Sequence, residues 1–302
     1  MLGLLTLPIL AMLSLVTYLV YQHNRSTPVN VEETLQRFRS TLPTLPAPND
    51  RPSPPESSPT GPTPSASTVP TPSGRTGPSP SSTATPSDPT DSGTPLPPLD
   101  TPAPGVYSYD TTGDESTDAL YGSSHQYPAT TTITVTPSPC GWQGRWDAIE
   151  ERWNITHWCD NPGGMFAFPK FTEYHEFFGQ SETLHFECGE GGRLPTATRP
   201  AGTTTTFECA AGDQRAEITA RSLGRQVVQV GSTTHEAFGI QMDHEMTGPT
   251  TGSLTDVVWF EAQSGLIISR RYDLTSTSDS IFGKVHFEEH YEIRLKHMTP
   301  AT

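Results

Sequence analysis

Hydrophobic and polar positions follow three different rules along the chain. The first is a continuous apolar run: LGLLTLPILAMLSLVTYLVY, Leu2–Tyr21, carries no charge. About 20 apolar residues rising ~1.5 Å each span the hydrocarbon core of a bilayer. The run has no basic n-region, no A-x-A-like cleavage site and no cysteine for lipid attachment. It therefore predicts an uncleaved transmembrane anchor rather than a signal peptide. NVEETLQRFRS then predicts a short amphipathic helix, with Asn30 as N-cap, Glu33 completing a capping box, and Val31, Leu35 and Phe38 on one face. That face can lie on the membrane, meet another copy of the chain, or belong to a frayed turn.

The second rule is the loss of any period. From Leu42 to Ala103 prolines, serines and threonines dominate, with few aromatics and almost no large aliphatics. Such a tract cannot bury enough surface to offset its ordering entropy and predicts a disordered linker. Its prolines stiffen it toward polyproline II; fully extended, some sixty residues reach roughly 190 Å. The expectation is a spacer carrying a domain away from the bilayer. The composition also suits O-glycosylation and a proline-reading partner module.

The third rule, from residue 105, is alternation. ATTTITVT (129–136) is β-branched; FTEYHEFF, a turn at GQSE, then TLHFEC reads as a hairpin. In HEAFGIQMDHEM, Phe238, Ile240 and Met242 share a face. In KVHFEEHYEIRLKH, Val285, Phe287, Tyr291, Ile293 and Leu295 oppose His286, Glu288, His290, Glu292, Arg294 and Lys296. One wet and one buried face mean an antiparallel sheet. GRWDAIEERWNITHWC fits a helix face or a hairpin; its β-rich context favours strand. The fold class is thus mainly β. It comprises a transmembrane helix at 1–22, a juxtamembrane segment with a short helix at 23–41, a disordered Pro/Ser/Thr-rich linker at 42–104, and an extracytoplasmic antiparallel β domain at 105–298. A curved, half-barrel-like sheet is one form that domain can take.

Charge and cysteines narrow the setting. The net charge of -15 and the absence of a basic stripe argue against nucleic acid as a partner. Anionic headgroups are not favoured either. Cys140, Cys159, Cys188 and Cys209 are even in number and form no C-x-x-C pair. They predict two disulfides in an oxidising compartment. Of three connectivities, Cys140–Cys159 with Cys188–Cys209 is the sequence-local one, each closing a loop of about 20 residues worth ~3 kcal/mol. Arg25, Arg37 and Arg39 follow the apolar run, which alone would leave the C-terminal side in the cytoplasm. The cysteines and the Pro/Ser/Thr tract outweigh this and place the domain outside the cell membrane. A true start upstream of Met1 would supply the missing basic residues.

Candidate chemistry is sparse. HEFFG (175–179), HEAFG (235–239) and HEMTG (244–248) begin like the zinc-protease signature. Each has Gly where the second His belongs, and a strand turns neighbouring His and Glu to opposite faces. They predict strands that end or bulge at Gly. In HFEEH, His286 and His290 stand ~13 Å apart on a strand, too far for one metal. His286 with Glu288 remains as a residual pair of candidate ligands. No G-x-S-x-G, P-loop or G-x-G-x-x-G occurs, so no catalytic residue or cofactor is expected. The sequons at Asn24 and Asn154 matter only in a glycosylating pathway. Five tryptophans, Trp142, Trp146, Trp153, Trp158 and Trp259, read as core, or as lining of an apolar-ligand site.

PAPGVYSYDTTGDE, SSHQYPATTTITVTPSPCGWQGRWDAIEERW, YHEFFG and TGSLTDVVWFEAQSGLIISRR resemble a family of uncharacterised membrane-anchored extracytoplasmic proteins of high-GC Gram-positive bacteria. The resemblance covers the helix near 30–40 and nearly all of 103–297, and carries over no functional residue. VVWFEAQSGLIISRRYDL…KVHFEEHYEI is similar, at fold level, to the half-barrels of lipoprotein carriers, although a lipobox cysteine is missing. The leading expectation is a non-catalytic, membrane-tethered binding or envelope-associated module for an unknown protein or apolar ligand. The alternative is an apolar-ligand or lipid carrier; a metal-dependent hydrolase comes third. A carrier requires a deep apolar cavity, and a protein-binding module an exposed apolar patch.

Overall fold

The computed structural model describes residues 26–41, 100–119, 122–161, 165–195, 199–280 and 283–302. The expected anchor, Asn24 and nearly all of the linker lie outside these. Among the described residues no helix is long and apolar enough to cross a membrane.

Among the described residues one α-helix, α1 (Val31–Thr41), precedes fifteen strands. They are β1 (Gly105–Thr117), β2 (Ser123–Gln126), β3 (Thr130–Ser138), β4 (Gly141–Ile149), β5 (Arg152–Asn161), β6 (Met165–Ala167), β7 (Lys170–Phe177), β8 (Gln180–Cys188), β9 (Arg193–Leu194), β10 (Thr204–Ala211), β11 (Gln214–Val230), β12 (Thr233–Thr247), β13 (Thr250–Glu261), β14 (Ile267–Ser280) and β15 (Gly283–Leu295). They form one antiparallel sheet in the order β4-β3-β1-β15-β14-β13-β12-β11-β10-β8-β7-β5-β6-β9, with β2 on β1. Because β4 also pairs β5, the twelve strands from β4 to β5 close on themselves. The half-barrel form is therefore exceeded: the sheet is a ring. Its closing piece is the 144–158 segment that the sequence left between helix and strand. It is a hairpin, β4–β5, whose Trp146 lies opposite Asn154.

Alternation sets the interior. Registered pairs carry one face continuously around the ring: Tyr107↔Ile133, Ile133↔Trp146, Phe171↔Phe186, Phe207↔Ile218, Ala220↔Met242 and Tyr272↔Tyr291. All of these are joined in a single buried cluster, so the ring is its own core. In the β7–β8 hairpin the tip is Phe178–Gly179 rather than GQSE, since Phe177 faces Gln180. Both tip residues have positive φ, 54° and 69°, as a two-residue hairpin that follows the sheet's twist requires.

The two disulfides pair as expected, Cys140–Cys159 and Cys188–Cys209. The second lies where β8 and β10 share only two registered pairs, Cys209↔Cys188 and Ala210↔Glu187. It clamps the shortest contact in the ring.

The ring has two different ends. Turns after β1, β4, β7, β10, β12 and β14 gather at one end, and those after β3, β11 and β13 at the other. The second end is plugged by aromatics. Phe166 of β6 stacks on Trp158 at 5.2 Å between ring centroids and meets Phe238 and Phe260 edge-on.

α1 lies against β1 and β3. Its Asn30 cap holds, with Oδ1 accepting from the Glu32 N–H at 3.0 Å. Leu35 and Phe38 bury against the outward Val106, and Arg37 approaches the buried Asp147 at 3.7 Å. The apolar face of the helix is thus used by the ring itself, and is not left for a membrane or another copy. This also corrects the spacer. The Pro/Ser/Thr tract starts beyond α1 and ends at Asp100, whose N–H donates to Gln263 O at 2.7 Å. Its flanks, Thr41 and Asp100, belong to the same body, so the tract does not stand between the ring and the chain that precedes α1.

Three tryptophans, Trp142, Trp146 and Trp158, are interior, as expected. Trp153 is on the outer face, stacked on Tyr174 and under the Arg145 guanidinium at 4.0 Å. Trp259, also only partly buried, covers Gly239 across the β12–β13 pair, where a Cβ would meet its ring at 2.8 Å. Asn154 is 2% exposed, so the folded sequon is closed to glycosylation.

Candidate functional site: a cavity beside a buried ion cluster

β1, β2, β5, β7 and β15 turn charged side chains inward near the open end. Arg152, wholly buried on β5, forks onto Glu289 of β15, with Nε to Oε1 at 2.9 Å and Nη2 to Oε2 at 3.0 Å. Its Nη1 pairs with Glu173 of β7 at 2.7 Å. Tyr127 donates to Glu289 Oε1 at 2.6 Å. Glu115 of β1, also fully buried, meets His125 Nδ1 at 2.8 Å and His175 Nδ1 at 3.2 Å, with Arg152 Nε 3.9 Å away. Burial alone would push the Glu115 carboxyl up. The two histidine hydrogen bonds and the Arg152 charge overcome this and lower it to about 2. His125 stacks flat on Phe177 at 4.6 Å. Two walls of the ring, β1–β2–β15 and β5–β7, are thus braced across the lumen.

Beside the brace is a cavity of about 520 Å³ enclosed by β7, β8 and β11–β15. Phe171, Phe177, Phe186, Leu254 and Phe287 make most of its wall apolar, and Glu173 and His175 join it to the brace. The Phe178 turn, Gln180, Thr250 and Ser280 stand where it reaches the open end. Its size falls within the range of ordinary small-molecule sites, ~300–1,000 Å³.

A second buried pair lies in the β13–β14 wall. Arg270 grips Asp256 with both links at 2.9 Å. His244 of β12, 5% exposed, lines the cavity near this pair and its Nε2 has no hydrogen-bond partner. Burial, reinforced by the Arg270 charge, depresses its imidazole to about 3, so the ring stays neutral.

The three H-E-x-x-G motifs therefore part company. His175 joins the brace, and Tyr174 donates to Glu176 Oε2 at 2.7 Å on the opposite strand face. His235 is paired with Thr233 at 2.8 Å near a hairpin turn. His244 is the unpartnered wall residue. Gly179 and Gly248 stand at turns, and Gly239 is the residue under Trp259. His286 and Glu288 point outward and are exposed; His286 Nδ1 is 2.9 Å from Thr277 Oγ1. Among the described residues the three acidic and histidine groups brought within 4.8 Å of one another are instead Glu115, His175 and Glu289. Arg152 already lies among them and engages both Glu289 oxygens, so a divalent ion would have to displace a guanidinium.

Compared with known protein families, curated proteins and solved structures, the chain shows no match.

Proposed function

We propose that the β ring is a non-catalytic, extracytoplasmic binding module that encloses an apolar small molecule, and that Leu2–Tyr21 tethers it to the cell membrane. The observation that carries this is the apolar cavity of about 520 Å³ inside a ring that is otherwise well packed. The surface supports it from the other side. Among the described residues Val227 is the single large hydrophobic residue that is strongly exposed, which offers little to a protein partner. The two disulfides support an oxidising location. The brace has the marks of structure rather than catalysis, because its strongest donors and acceptors are already engaged with each other.

Native mass spectrometry of the full chain, purified from an oxidising compartment, tests the reading. The expected result is a co-purifying apolar molecule that organic extraction releases. Ala216→Trp, which fills the cavity wall, and Met246→Trp, nearer the open end, should each abolish retention while leaving the β signal in circular dichroism intact. Wild-type protein that neither carries nor takes up any apolar molecule would overturn the reading.

A further inference from the structure

We propose that the cavity takes its ligand directly from the bilayer to which the chain is tethered, and that this ligand is a membrane lipid without net negative charge. The inference rests on the apolar-ligand reading and on the apolar run Leu2–Tyr21 as the anchor. The new observation is where the chain enters the ring.

Ser26 Oγ donates to Gln126 O at 3.2 Å. The Thr27 N–H and Oγ1 donate to the two Glu151 carboxylate oxygens at 3.0 and 2.8 Å, and the Glu150 N–H donates back to Thr27 O at 3.0 Å. Gln126 ends β2, and Glu150–Glu151 is the β4–β5 turn. Both belong to the end of the ring at which the cavity opens. Only residues 22–25 separate Tyr21 from Ser26. Fully extended, that connection reaches ~18 Å. An anchor in the bilayer therefore holds the mouth, rather than the plugged end, at the lipid surface.

From Ser26 the chain runs away from the mouth. α1 ends near the plugged end, where Arg39 Nη2 donates to Thr302 O at 2.8 Å. Asp100 returns at Gln263, in the β13–β14 turn of that same end. The described flanks of the Pro/Ser/Thr tract, Thr41 and Asp100, thus both lie toward the plugged end rather than at the mouth.

Charge selects among lipids. Asp118, Glu150, Glu182, Asp213 and Asp279 are exposed around the mouth, where Lys284 is a cationic neighbour already 3.5 Å from Asp279. Inside, Glu115, Glu173 and Glu289 face the Arg152 guanidinium. Anionic headgroups meet repulsion within a Debye length, ~8 Å at physiological salt, whereas zwitterionic and uncharged ones do not.

The test uses the full chain reconstituted in phosphatidylcholine vesicles, with the photo-crosslinking residue p-benzoylphenylalanine placed at Phe178 or at Ser232. These lie at turns on opposite ends of the ring. Lipid adducts are expected from position 178 and not from 232. A flexible Gly/Ser insertion of about thirty residues between Tyr21 and Ser26 should cut the adducts at 178 several-fold, because it uncouples mouth from bilayer without touching the ring. Replacing phosphatidylcholine by phosphatidylglycerol should also lower them several-fold. Equal adducts at both positions, or adducts indifferent to the insertion, would overturn the membrane-facing mouth. If lipid is then still retained, and lost on Ala216→Trp, the apolar-ligand reading survives that failure. Equal capture of phosphatidylglycerol overturns the charge selection. No lipid in any arm overturns both.

Discussion

The brace around Arg152 and the wall around His244 belong to one lumen, yet they treat buried polarity in opposite ways. In the brace each charge has its partners: Arg152 is spread over Glu289 and Glu173, and Glu115 accepts from two histidines. Nothing further is needed for it to be stable. In the wall, His244 keeps one nitrogen unpartnered against an apolar cavity. Of the described buried groups that lack a hydrogen-bond partner, only His244 and Glu173 line this cavity, and Glu173 is in the ion pair with Arg152. A completed network marks structure; an incomplete one beside open space marks a place where something else fits.

Substitutions that hit one region and spare the other test the contrast. The largest effect is expected from Arg152→Met, which leaves Glu289 and Glu173 as buried, uncompensated charges. Breaking such an arrangement costs about 3–5 kcal/mol, so urea unfolding should shift to a much lower midpoint. Glu289→Gln keeps the shape but weakens the charge-assisted fork, and should cost about 2 kcal/mol by the same measurement. A cost near zero in either variant would show that the brace does not stabilise the ring.

Titration separates the two regions further. His244 is depressed from 6.5 to about 3 in the fold, so the unfolded chain takes up a proton first as pH falls. Stability present above 6.5 is then lost on acidification, by ~1.4 kcal/mol per pH unit at most. Glu115, lowered from 4.5 to about 2, adds the same sign of loss, but only below 4.5. His244→Leu should therefore flatten the slope from pH 6.5 down to about 3, most visibly above 4.5 where Glu115 does not contribute, and leave the loss below about 3 unchanged; an unchanged slope between pH 6.5 and 4.5 would refute this. The smallest effect is the direct one. At mildly alkaline pH, His244→Leu should gain about 1 kcal/mol, because it removes an unsatisfied polar atom, whereas no brace variant should gain.

Much of this was present in the alternation. The face shared by Phe238, Ile240 and Met242 continues two residues on to His244. The face of Phe287 and Tyr291 contains Glu289 between them. Reading apolar residues alone passes over both, since a polar residue at an inward position looks like an irregularity. His175 likewise shares its face with Phe171 and Glu173. The meeting of Glu115, Arg152 and Glu289 was not legible. They come from β1, β5 and β15, and only the closure of the ring through β4–β5 puts them in one place. The two disulfides were readable because short loop closure favours near neighbours. The role of the helix was not, because an amphipathic face does not name its partner.

The pairing of β1 with β15 sets an order of events. Tyr109 lies opposite Leu295, so the first strand of the ring waits for the last. The hairpins of the β7–β8 and β11–β14 stretches join residues close in sequence and can form as the chain emerges. The lumen cannot be sealed until β15 arrives, and non-local closure of this kind is slow. Until then Arg152 lacks Glu289, its bidentate partner. The same residue that completes the barrel electrically also arrives on its final strand, so a chain stopped before β15 retains an open sheet with an exposed, half-neutralised cation.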